Sequence, residues 1–198
     1  MTRLHIGCGD KPIKGWLNID VKSGEGVDAV LDVRQGLPYS DCQYVFAEHF
    51  IEHLELEEAF AFLRGCRAAL GENGALRLST PNLDWVMLSH YRYGRWLNGE
   101  ESVADCIGTN MAFHGWGHHF LYNFSTLKEL LNAAGFANVG QVFYGESENP
   151  DLRGLEQHER SPDWPGLPHV IVVEASGVTT PAELPEKFVG YLTIRNVR

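Results

Sequence analysis

The chain lacks three features that would each assign it to a particular class of protein. No apolar run approaches the roughly 20 residues that cross a bilayer, and the N-terminus leads directly into a strand pattern, so we expect a cytoplasmic protein without membrane contact. Its cysteines, Cys8, Cys42, Cys66 and Cys106, have neither close pairing nor zinc-like spacing, which predicts reduced thiols. Positive charge is also scarce: the formal net charge of −10 argues against nucleic acid as a partner.

The length and composition suit one globular domain. At 198 residues, with 44% apolar and 21% charged residues, the chain can bury a full core. We assign residues 1–176 to this domain. We expect residues 177–198 to form a C-terminal extension that packs either on this domain or on a partner chain. Packing on a second copy of the chain would give a homodimer.

A glycine pair follows the first apolar segment, and an acid ends the second. The first segment is residues 4–9 (LHIGCG) and the second is residues 16–20 (WLNID). Glycines at the carboxyl end of a strand let the backbone approach a ligand where a Cβ would collide. The acid, Asp20, is placed to accept hydrogen bonds from the two hydroxyls of a ribose. The pattern indicates a nucleoside-containing cofactor lying across two adjacent parallel strands.

Two common phosphate-binding loops are absent. The glycine motif of dinucleotide enzymes needs a third glycine, and Pro12 stands at that position. No Lys-Ser or Lys-Thr pair directly follows the glycines, as a P-loop would require. These absences favour a cofactor without a pyrophosphate, and S-adenosylmethionine fits. A nucleotide-sugar or NAD enzyme on a similar sheet is the weaker alternative.

Three motifs in order resemble those of the class I S-adenosylmethionine-dependent methyltransferases. The chain is most similar to a small subgroup carrying Leu-x-x-Gly-Cys-Gly, Gly-Trp-x-Asn-x-Asp and Glu-His-x-x-Glu-His-Leu. These motifs fall at residues 4–9, 15–20 and 48–54. The resemblance extends from about residue 4 to about residue 175.

The resemblance implies an α/β, Rossmann-like methyltransferase sheet, mostly parallel with an antiparallel last strand, and S-adenosylmethionine as the cofactor. In related enzymes an acid at the position of Asp32 meets the adenine amino group, and the end of the fourth strand meets the methionine end. The alternative for Asp32 is a turn residue before Gly36 and Pro38. The residues expected around the cofactor are Gly7, Cys8, Gly9, Asp20, Val21, Asp32, Val33 and Glu48.

Alternating strand and helix patterns predict a sheet with helices on both faces. Further strands are predicted at 28–33, 43–47 and 75–79, followed by a final antiparallel pair at 137–144 and 170–175. Helices are predicted at 55–70 and 126–134, the second opened by a capping box of Thr126 and Glu129. Only six residues, 10–15, separate the glycine pair from the second strand. A parallel crossover normally takes about a dozen or more, so the first crossover helix is expected to be shortened or absent.

His49 is the candidate catalytic residue. It follows the fourth strand, which points at the ligand cleft of open α/β sheets. Its pKa near neutrality suits a general base that takes a proton from a hydroxyl or amine acceptor. The alternative is that His49 and His53 cap or pack the following helix. For His53 that alternative is preferred.

The histidines also raise the question of a metal ion. His49 and His53 form one segment, and His114, His118 and His119 form another. Neither segment has the cysteine or acid partners of a known zinc pattern. We therefore assign no metal, and favour a lid or an acceptor pocket for the second segment.

An aromatic region precedes the last two strands, and its members either cover the cleft or fill the core. It contains Tyr91, Tyr93, Trp96, Phe113, Trp116, Phe120 and Tyr122. The candidate acceptor-binding residues are Pro81, Asn82, Trp116, His118, His119 and Tyr122. Downstream, the charged residues Arg153, Glu156 and Arg160 pair with an acceptor or with each other.

These observations predict a methyltransferase that uses S-adenosylmethionine to methylate an oxygen or nitrogen of a small-molecule or glycan-like acceptor. The alternative from another class is a non-catalytic scaffold or ligand sensor that keeps the fold. The short first crossover and the absence of a catalytic signature favour that alternative. Fold alone does not determine the acceptor.

Overall fold

One sheet organises the chain in the computed structural model, which describes residues 2–90 and 97–195. In chain order its strands are β1 (Arg3–Ile6), β2 (Leu17–Asp20), β3 (Ala29–Val30), β4 (Cys42–Glu48), β5 (Leu70–Pro81), β6 (Asn138–Val142) and β7 (Val170–Ser176). Their order across the sheet is β3-β2-β1-β4-β5-β7-β6. Strands β1 to β5 run parallel, while β7 is antiparallel to both β5 and β6. The predicted mostly parallel sheet with an antiparallel last strand is confirmed.

Helices and shorter helical turns connect these strands. The helices are α1 (Leu56–Ala69), α2 (Leu83–His90), α3 (Gly99–Asn110), α4 (Phe124–Ala133) and α5 (Glu186–Arg195). The 3-10 turns are Val33–Gln35, Ile51–His53 and Pro150–Leu152, and Met111–Gly115 forms a π-helical turn. Among the described residues, no helix combines the length and apolar character needed to cross a membrane. The cytoplasmic location stays a prediction, and Tyr91, Tyr93 and Trp96 lie outside the described residues.

The main core lies on one face of the sheet, where apolar side chains of α1, α4 and α5 meet the strands. Side chains alternate along β4, so Val45 belongs to this core while Tyr44 and Phe46 face the other side. On that side they pack against Trp16, which directly precedes β2, and against Leu152, which lies in a 3-10 turn. Each fully buried apolar side chain stabilises the fold by roughly 1.5–3 kcal/mol. The prediction of helices on both faces is wrong for this second face, because loops supply its cover.

A buried arginine fastens the loop after β6 to this second face. Arg77, on β5, donates from Nε to Glu156 Oε1 at 2.7 Å and from Nη1 to the carbonyl of Glu146 at 2.9 Å. Arg153 and Arg160 bind other neighbours within the loop. The charged residues predicted to pair with an acceptor or with each other therefore serve the loop, and Glu156 does so through Arg77.

The third strand is shorter than the predicted 28–33 because its end turns into a 3-10 turn. The carboxylate of Asp32 accepts from the backbone N–H of Arg34 and caps that turn. The fifth strand is longer than the predicted 75–79, since it begins at Leu70 directly after α1. Both errors concern the boundaries of a strand, and not which segments form strands.

The caps of two helices also differ from the prediction. Helix α4 begins at Phe124, because the Asn123 side chain accepts from the backbone N–H of Thr126. The predicted capping box of Thr126 and Glu129 is therefore wrong. Helix α1 begins one residue after the predicted start, and Glu55 with Glu58 forms the capping box there.

The first crossover, residues 10–15 of the described chain, contains turns and no helix, as the spacing predicted. The side chain of Asn18 organises it in place of a helix. Its Oδ1 accepts from the backbone N–H of Ile13 at 2.7 Å, and its Nδ2 donates to the carbonyls of Ile13 and Trp16, both at 3.2 Å. Asp28 accepts from the Asn18 backbone N–H at 2.8 Å. The Asn-x-Asp of the second motif thus supplies a structural residue beside Asp20.

The segment after β7 packs on the same chain as far as it is described. The backbone N–H of Thr179 donates to the carbonyl of Gly135 at 3.0 Å, and that of Ala182 donates to Ala133 at 2.8 Å. Leu192 of α5 is buried in the main core. The division into residues 1–176 and 177–198, and a role for a partner chain, stay predictions.

Candidate active-site cleft

A cleft of about 440 Å³ opens at the carboxyl ends of the parallel strands β1 to β4. This is the edge at which open α/β sheets bind ligands. Its lining includes Gly7, Asp20, Val21, Asp32, Val33, Arg34, His49, Phe50 and His53. Six of the residues predicted from the sequence to contact the cofactor or act on the acceptor therefore meet in one cavity: Gly7, Asp20, Val21, Asp32, Val33 and His49.

Gly7 forms the floor of the cleft at the end of β1. Its φ of +67° lies in the left-handed region, and a Cβ there would come within 2.5 Å of the Phe50 ring. Its backbone N–H donates to the carbonyl of Ile19 at 2.8 Å, which ties the turn to β2. The position therefore requires glycine both for its backbone conformation and for the space that Phe50 occupies.

Asp20 joins the glycine turn to the end of β2. Its Oδ2 accepts from the backbone N–H of Gly9 and its Oδ1 from that of Lys22, each at 3.0 Å. A carboxylate oxygen has two lone pairs, so each oxygen keeps one acceptor site for a ligand. Asp20 also borders a second cavity of about 590 Å³, lined by Gly9, Pro12 and Lys22 among others. Asp20 is thus the residue shared by two adjoining cavities.

Asp32 meets a partner that no sequence motif indicated. Arg34 donates from Nε to Asp32 Oδ1 at 2.8 Å and from Nη2 to Oδ2 at 2.7 Å. These hydrogen bonds hold the pKa of Asp32 below its usual range. Because Arg34 also lines the cleft, a ligand group at this end meets an ion pair and not a lone carboxylate.

His49 and Glu52 form a pair at the end of β4. His49 has a φ of +47°, which is uncommon for a residue other than glycine. Its Nδ1 lies 3.1 Å from Glu52 Oε1, and since a carboxylate only accepts, Nδ1 carries the hydrogen. Glu52 is fully buried, and its Oε2 accepts from Thr80 Oγ1 at 2.9 Å. Within the described part of the chain, His49 Nε2 is buried without a hydrogen-bond partner.

The pair shifts the pKa of both members. Burial lowers the pKa of His49, but the hydrogen bond to Glu52 and the charges of Glu52 and Glu48 outweigh burial and raise it overall. Burial raises the pKa of Glu52, but the contact with His49 outweighs it and lowers that pKa overall. Glu52 is therefore a carboxylate at neutral pH, and Nε2 is the ring nitrogen of His49 that the pairing leaves unbonded among the described residues.

Three residues predicted to contact the cofactor are absent from the lining of this cleft: Gly9, which lines the second cavity, Cys8 and Glu48. Glu48 is buried, and its carboxylate accepts from the backbone N–H groups of Gln157 at 2.8 Å and His158 at 3.1 Å. The His158 ring nitrogen Nδ1 also lies 3.0 Å from Glu48, close enough for ion pairing but without hydrogen-bond geometry. Cys8 is likewise buried, and burial raises the pKa of its thiol. Glu48 thus anchors the loop that covers the second face of the sheet.

The predicted acceptor residues fall into two groups. Trp116 and His119 are exposed and His118 is partly buried, all on the segment that follows the π-helical turn. His119 Nδ1 contacts Glu55 Oε1 at 2.8 Å. This segment adjoins the cleft through His53, whose Nδ1 lies 3.2 Å from the carbonyl of Gly117.

The second group supports the fold. The Asn82 side chain accepts from the backbone N–H of Asp84 and donates to the carbonyl of Pro168. Tyr122 is fully buried, and burial raises the pKa of its hydroxyl. Pro81 ends β5 and is partly buried. As far as the chain is described, the cleft lining therefore includes none of Pro81, Asn82 and Tyr122, and Tyr122 contributes to the core.

Four residues of the site, Arg34, Phe50, Glu52 and Thr80, were not predicted from the sequence. Glu52 carried a usable signal, since His49 and Glu52 are three residues apart just before a helix. Thr80 carried none, because its contact with Glu52 joins β5 to the end of β4. Phe50 is recognisable only once its ring is found over Gly7.

The chain has the fold of S-adenosylmethionine-dependent methyltransferases of known structure. One such enzyme from Archaeoglobus fulgidus superimposes with a TM-score of 0.55 and 19% identity, covering 88% of this chain and 85% of its own. DhpI, solved as a complex with SAH, superimposes with a TM-score of 0.51 and 12% identity, and the match covers 92% of this chain and 78% of DhpI. SibL, an S-adenosylmethionine-dependent methyltransferase solved in its apo form, superimposes with a TM-score of 0.52 and 16% identity. The match covers 90% of this chain and 51% of SibL.

The chain spans about half the length of SibL and of PigF, the latter solved with SAH. No family model and no curated protein matches the sequence. The resemblance to the methyltransferase fold is confirmed. The resemblance to the smaller motif subgroup stays a prediction.

Proposed function

We propose that this chain is an S-adenosylmethionine-dependent methyltransferase that methylates an oxygen or nitrogen of a small-molecule or glycan-like acceptor. The observation that carries the proposal is the cleft at the carboxyl ends of β1 to β4, where a left-handed glycine turn faces an acid. The S-adenosylmethionine-dependent enzymes that share this fold support the choice of cofactor.

The residues of the cleft fit such a cofactor. Asp20 keeps one acceptor site on each carboxylate oxygen, which matches the two hydroxyls of a ribose. Gly7 leaves the backbone at the end of β1 open to close approach. Asp32 with Arg34 offers both an acceptor and donors for the polar edge of an adenine. In the described crossover no helix N-terminus follows the glycine turn, so no helix dipole there helps to hold the charged end of the cofactor.

His49 is the residue proposed to act on the acceptor. When bound, S-adenosylmethionine supplies a methyl group made electrophilic by its sulfonium sulfur. The acceptor's lone pair forms the new bond to that methyl carbon, the carbon–sulfur bond breaks, and its electron pair stays on sulfur. His49 Nε2 takes the proton that a hydroxyl or amine acceptor gives up, while Nδ1 remains fixed on Glu52. Holding the acceptor in line contributes most of the acceleration.

The exposed aromatic ring of Trp116, on the segment that contacts His53 at the cleft, favours a glycan-like acceptor. Trp116 is 63% exposed and lies beside His118, with ring centroids 5.9 Å apart. An exposed indole face suits stacking on a sugar or another flat ring. Methyl transfer to a panel of mono- and oligosaccharides, measured with radiolabelled cofactor, tests this choice. Transfer only to non-sugar amines or phenols would overturn it.

Calorimetric titration with S-adenosylmethionine and S-adenosylhomocysteine tests the cofactor assignment. We expect micromolar binding to the wild type and binding about tenfold weaker or worse for Asp20→Ala, since hydrogen bonds to a charged group are lost. Asp10→Ala is the matched control, because Asp10 is an exposed acid that lines only the second cavity. Circular dichroism of each variant excludes unfolding. A folded wild type that binds neither ligand, even with acceptors present, would favour the non-catalytic scaffold.

A further inference from the structure

Three potential metal-binding side chains converge at the mouth of the cleft. One ligand atom each from Glu52, His53 and His118 lies within 4.8 Å of the other two. Glu52 and His53 belong to the 3-10 turn Ile51–His53, and His118 follows the π-helical turn Met111–Gly115. The sequence predicted no metal because neither histidine segment matched a known zinc pattern. The fold brings His118 to Glu52 and His53, which are adjacent in sequence, and so supplies the third side chain.

In both histidines Nε2 is the ring nitrogen that could bind a metal ion, because Nδ1 contacts a backbone carbonyl. His53 Nδ1 lies 3.2 Å from the carbonyl of Gly117, and His118 Nδ1 lies 2.7 Å from the carbonyl of Ala112. A carbonyl oxygen only accepts, so Nδ1 carries the hydrogen in each ring and Nε2 carries the lone pair. Metal-binding histidines are oriented in this way, with the second ring nitrogen donating to a carbonyl or carboxylate.

Glu52 is held as a ligand would be. Its two oxygens accept from His49 Nδ1 and Thr80 Oγ1, which fixes the carboxylate and leaves a further lone pair on each oxygen. Its negative charge is buried, and a divalent cation would compensate it more fully than a single imidazole. Hydrogen-bonded carboxylates are a regular feature of metal sites.

The two segments are joined by the backbone, so the cluster is assembled without a ligand. The backbone N–H groups of His119 and Phe120 both donate to the carbonyl of Glu52, at 2.7 and 3.3 Å. Gly117, which accepts from His53, has a φ of +77° that turns the chain between His118 and the π-helical turn. The spacing of the three side chains is therefore a property of the fold.

We propose that Glu52, His53 and His118 bind one divalent transition-metal ion, with zinc as the expected metal. Two imidazoles and one carboxylate are the protein ligands of many catalytic zinc sites, which leave a fourth position open. His53 lines the cleft, so an ion held by these residues would lie beside it. This part of the inference rests on the proposed function: the ion would bind the acceptor oxygen and favour its deprotonated form.

Metal binding is tested on the tagless full-length protein after chelator treatment. We expect one equivalent of zinc by calorimetry, and a visible absorption band on titration with cobalt(II). His53→Ala and His118→Ala should each weaken zinc binding by about tenfold or more. Both side chains are at least partly solvent-accessible, so these variants should fold; Glu52, which is fully buried, is left intact.

His114→Ala is the matched control, since His114 is exposed, lies in the adjoining π-helical turn and is not part of the cluster. It should bind zinc as the wild type does. Equal zinc binding by the wild type, His53→Ala and His118→Ala would overturn the site, as would no zinc binding by the wild type. Titration of the same variants with S-adenosylmethionine separates the two proposals, because the cofactor residues differ from the metal ligands.

Discussion

The imidazole of His49 is fixed to the buried carboxylate of Glu52, with 3.1 Å between Nδ1 and Oε1. The contact leaves Nε2 buried and without a partner among the described residues, in a residue that lines the cleft. The proposed catalytic role of His49 rests on its left-handed backbone, its buried acid partner and its unbonded ring nitrogen.

Replacing His49 by asparagine tests its role as the base. Asparagine tolerates a positive φ better than most residues, so the turn after β4 is expected to keep its shape. We expect turnover to fall by about 100-fold, the usual contribution of a general base. Affinity for S-adenosylmethionine, measured by calorimetry, should change little. Unchanged turnover would show that the acceptor loses its proton elsewhere.

Gly7→Ala and Gly9→Ala separate steric fit from backbone conformation at the turn. Both glycines have positive φ, but a Cβ added at Gly7 would come within 2.5 Å of the Phe50 ring, whereas one added at Gly9 would meet no described atom within 4 Å. In urea unfolding we expect Gly9→Ala to cost about 1–2 kcal/mol. Gly7→Ala should cost about 1–3 kcal/mol more, the usual effect of overpacking.

Replacing Phe50 by alanine in the Gly7→Ala background should recover part of that additional cost. Equal stability of the two single variants would mean that the Phe50 ring moves aside freely. The turn would then be explained by its backbone conformation alone.

Glu48→Gln distinguishes an anchoring role from a cofactor-binding role. Its two oxygens accept from the backbone N–H groups of Gln157 and His158, and an amide keeps only one of these acceptors. We expect a loss of about 1–3 kcal/mol in the free energy of unfolding and unchanged affinity for S-adenosylmethionine. The exposed Glu148→Gln, in the same loop, is the control for stability. A loss of cofactor affinity with normal stability would support the sequence-based assignment.

His5 is expected to make the protein less stable in mild acid. It is buried in β1, its Nδ1 donates to Asn18 Oδ1 at 3.1 Å, and burial lowers its pKa below the usual value. The folded state therefore binds this proton less readily than the unfolded state. The stabilisation is present above the unfolded pKa of about 6.5 and is lost as the pH falls toward the lowered folded value.

The measurement is the free energy of unfolding at pH 7.5 and pH 5.5 for the wild type and His5→Gln. Glutamine keeps a donor for Asn18 but does not titrate. Stability should fall more steeply for the wild type between the two pH values. Parallel changes in both proteins would assign the acid sensitivity to other groups.

The sequence predicted those parts of the site that lie within a short stretch of chain. The turn from Gly7 to Gly9, the acid at Asp20 and the short crossover all follow from local backbone requirements and from the lengths of apolar segments. The antiparallel last strand followed from the resemblance to a fold family. Segment boundaries were less accurate, because side-chain caps such as those of Asp32 and Asn123 decide where an element ends.

Only the tertiary structure decided what the remaining side chains contact. Alternation along β4 places Glu48 on the face of Phe46, and the loop packed there uses its carboxylate as an anchor. The Ile51–His53 turn and His118 meet because β5 and the helices after it return the chain to the same edge of the sheet. Contacts between segments far apart in sequence depend on packing, and no local pattern specifies them. The sequence by itself determined the strand–turn–acid framework, and packing determined which charged and imidazole groups share the cleft.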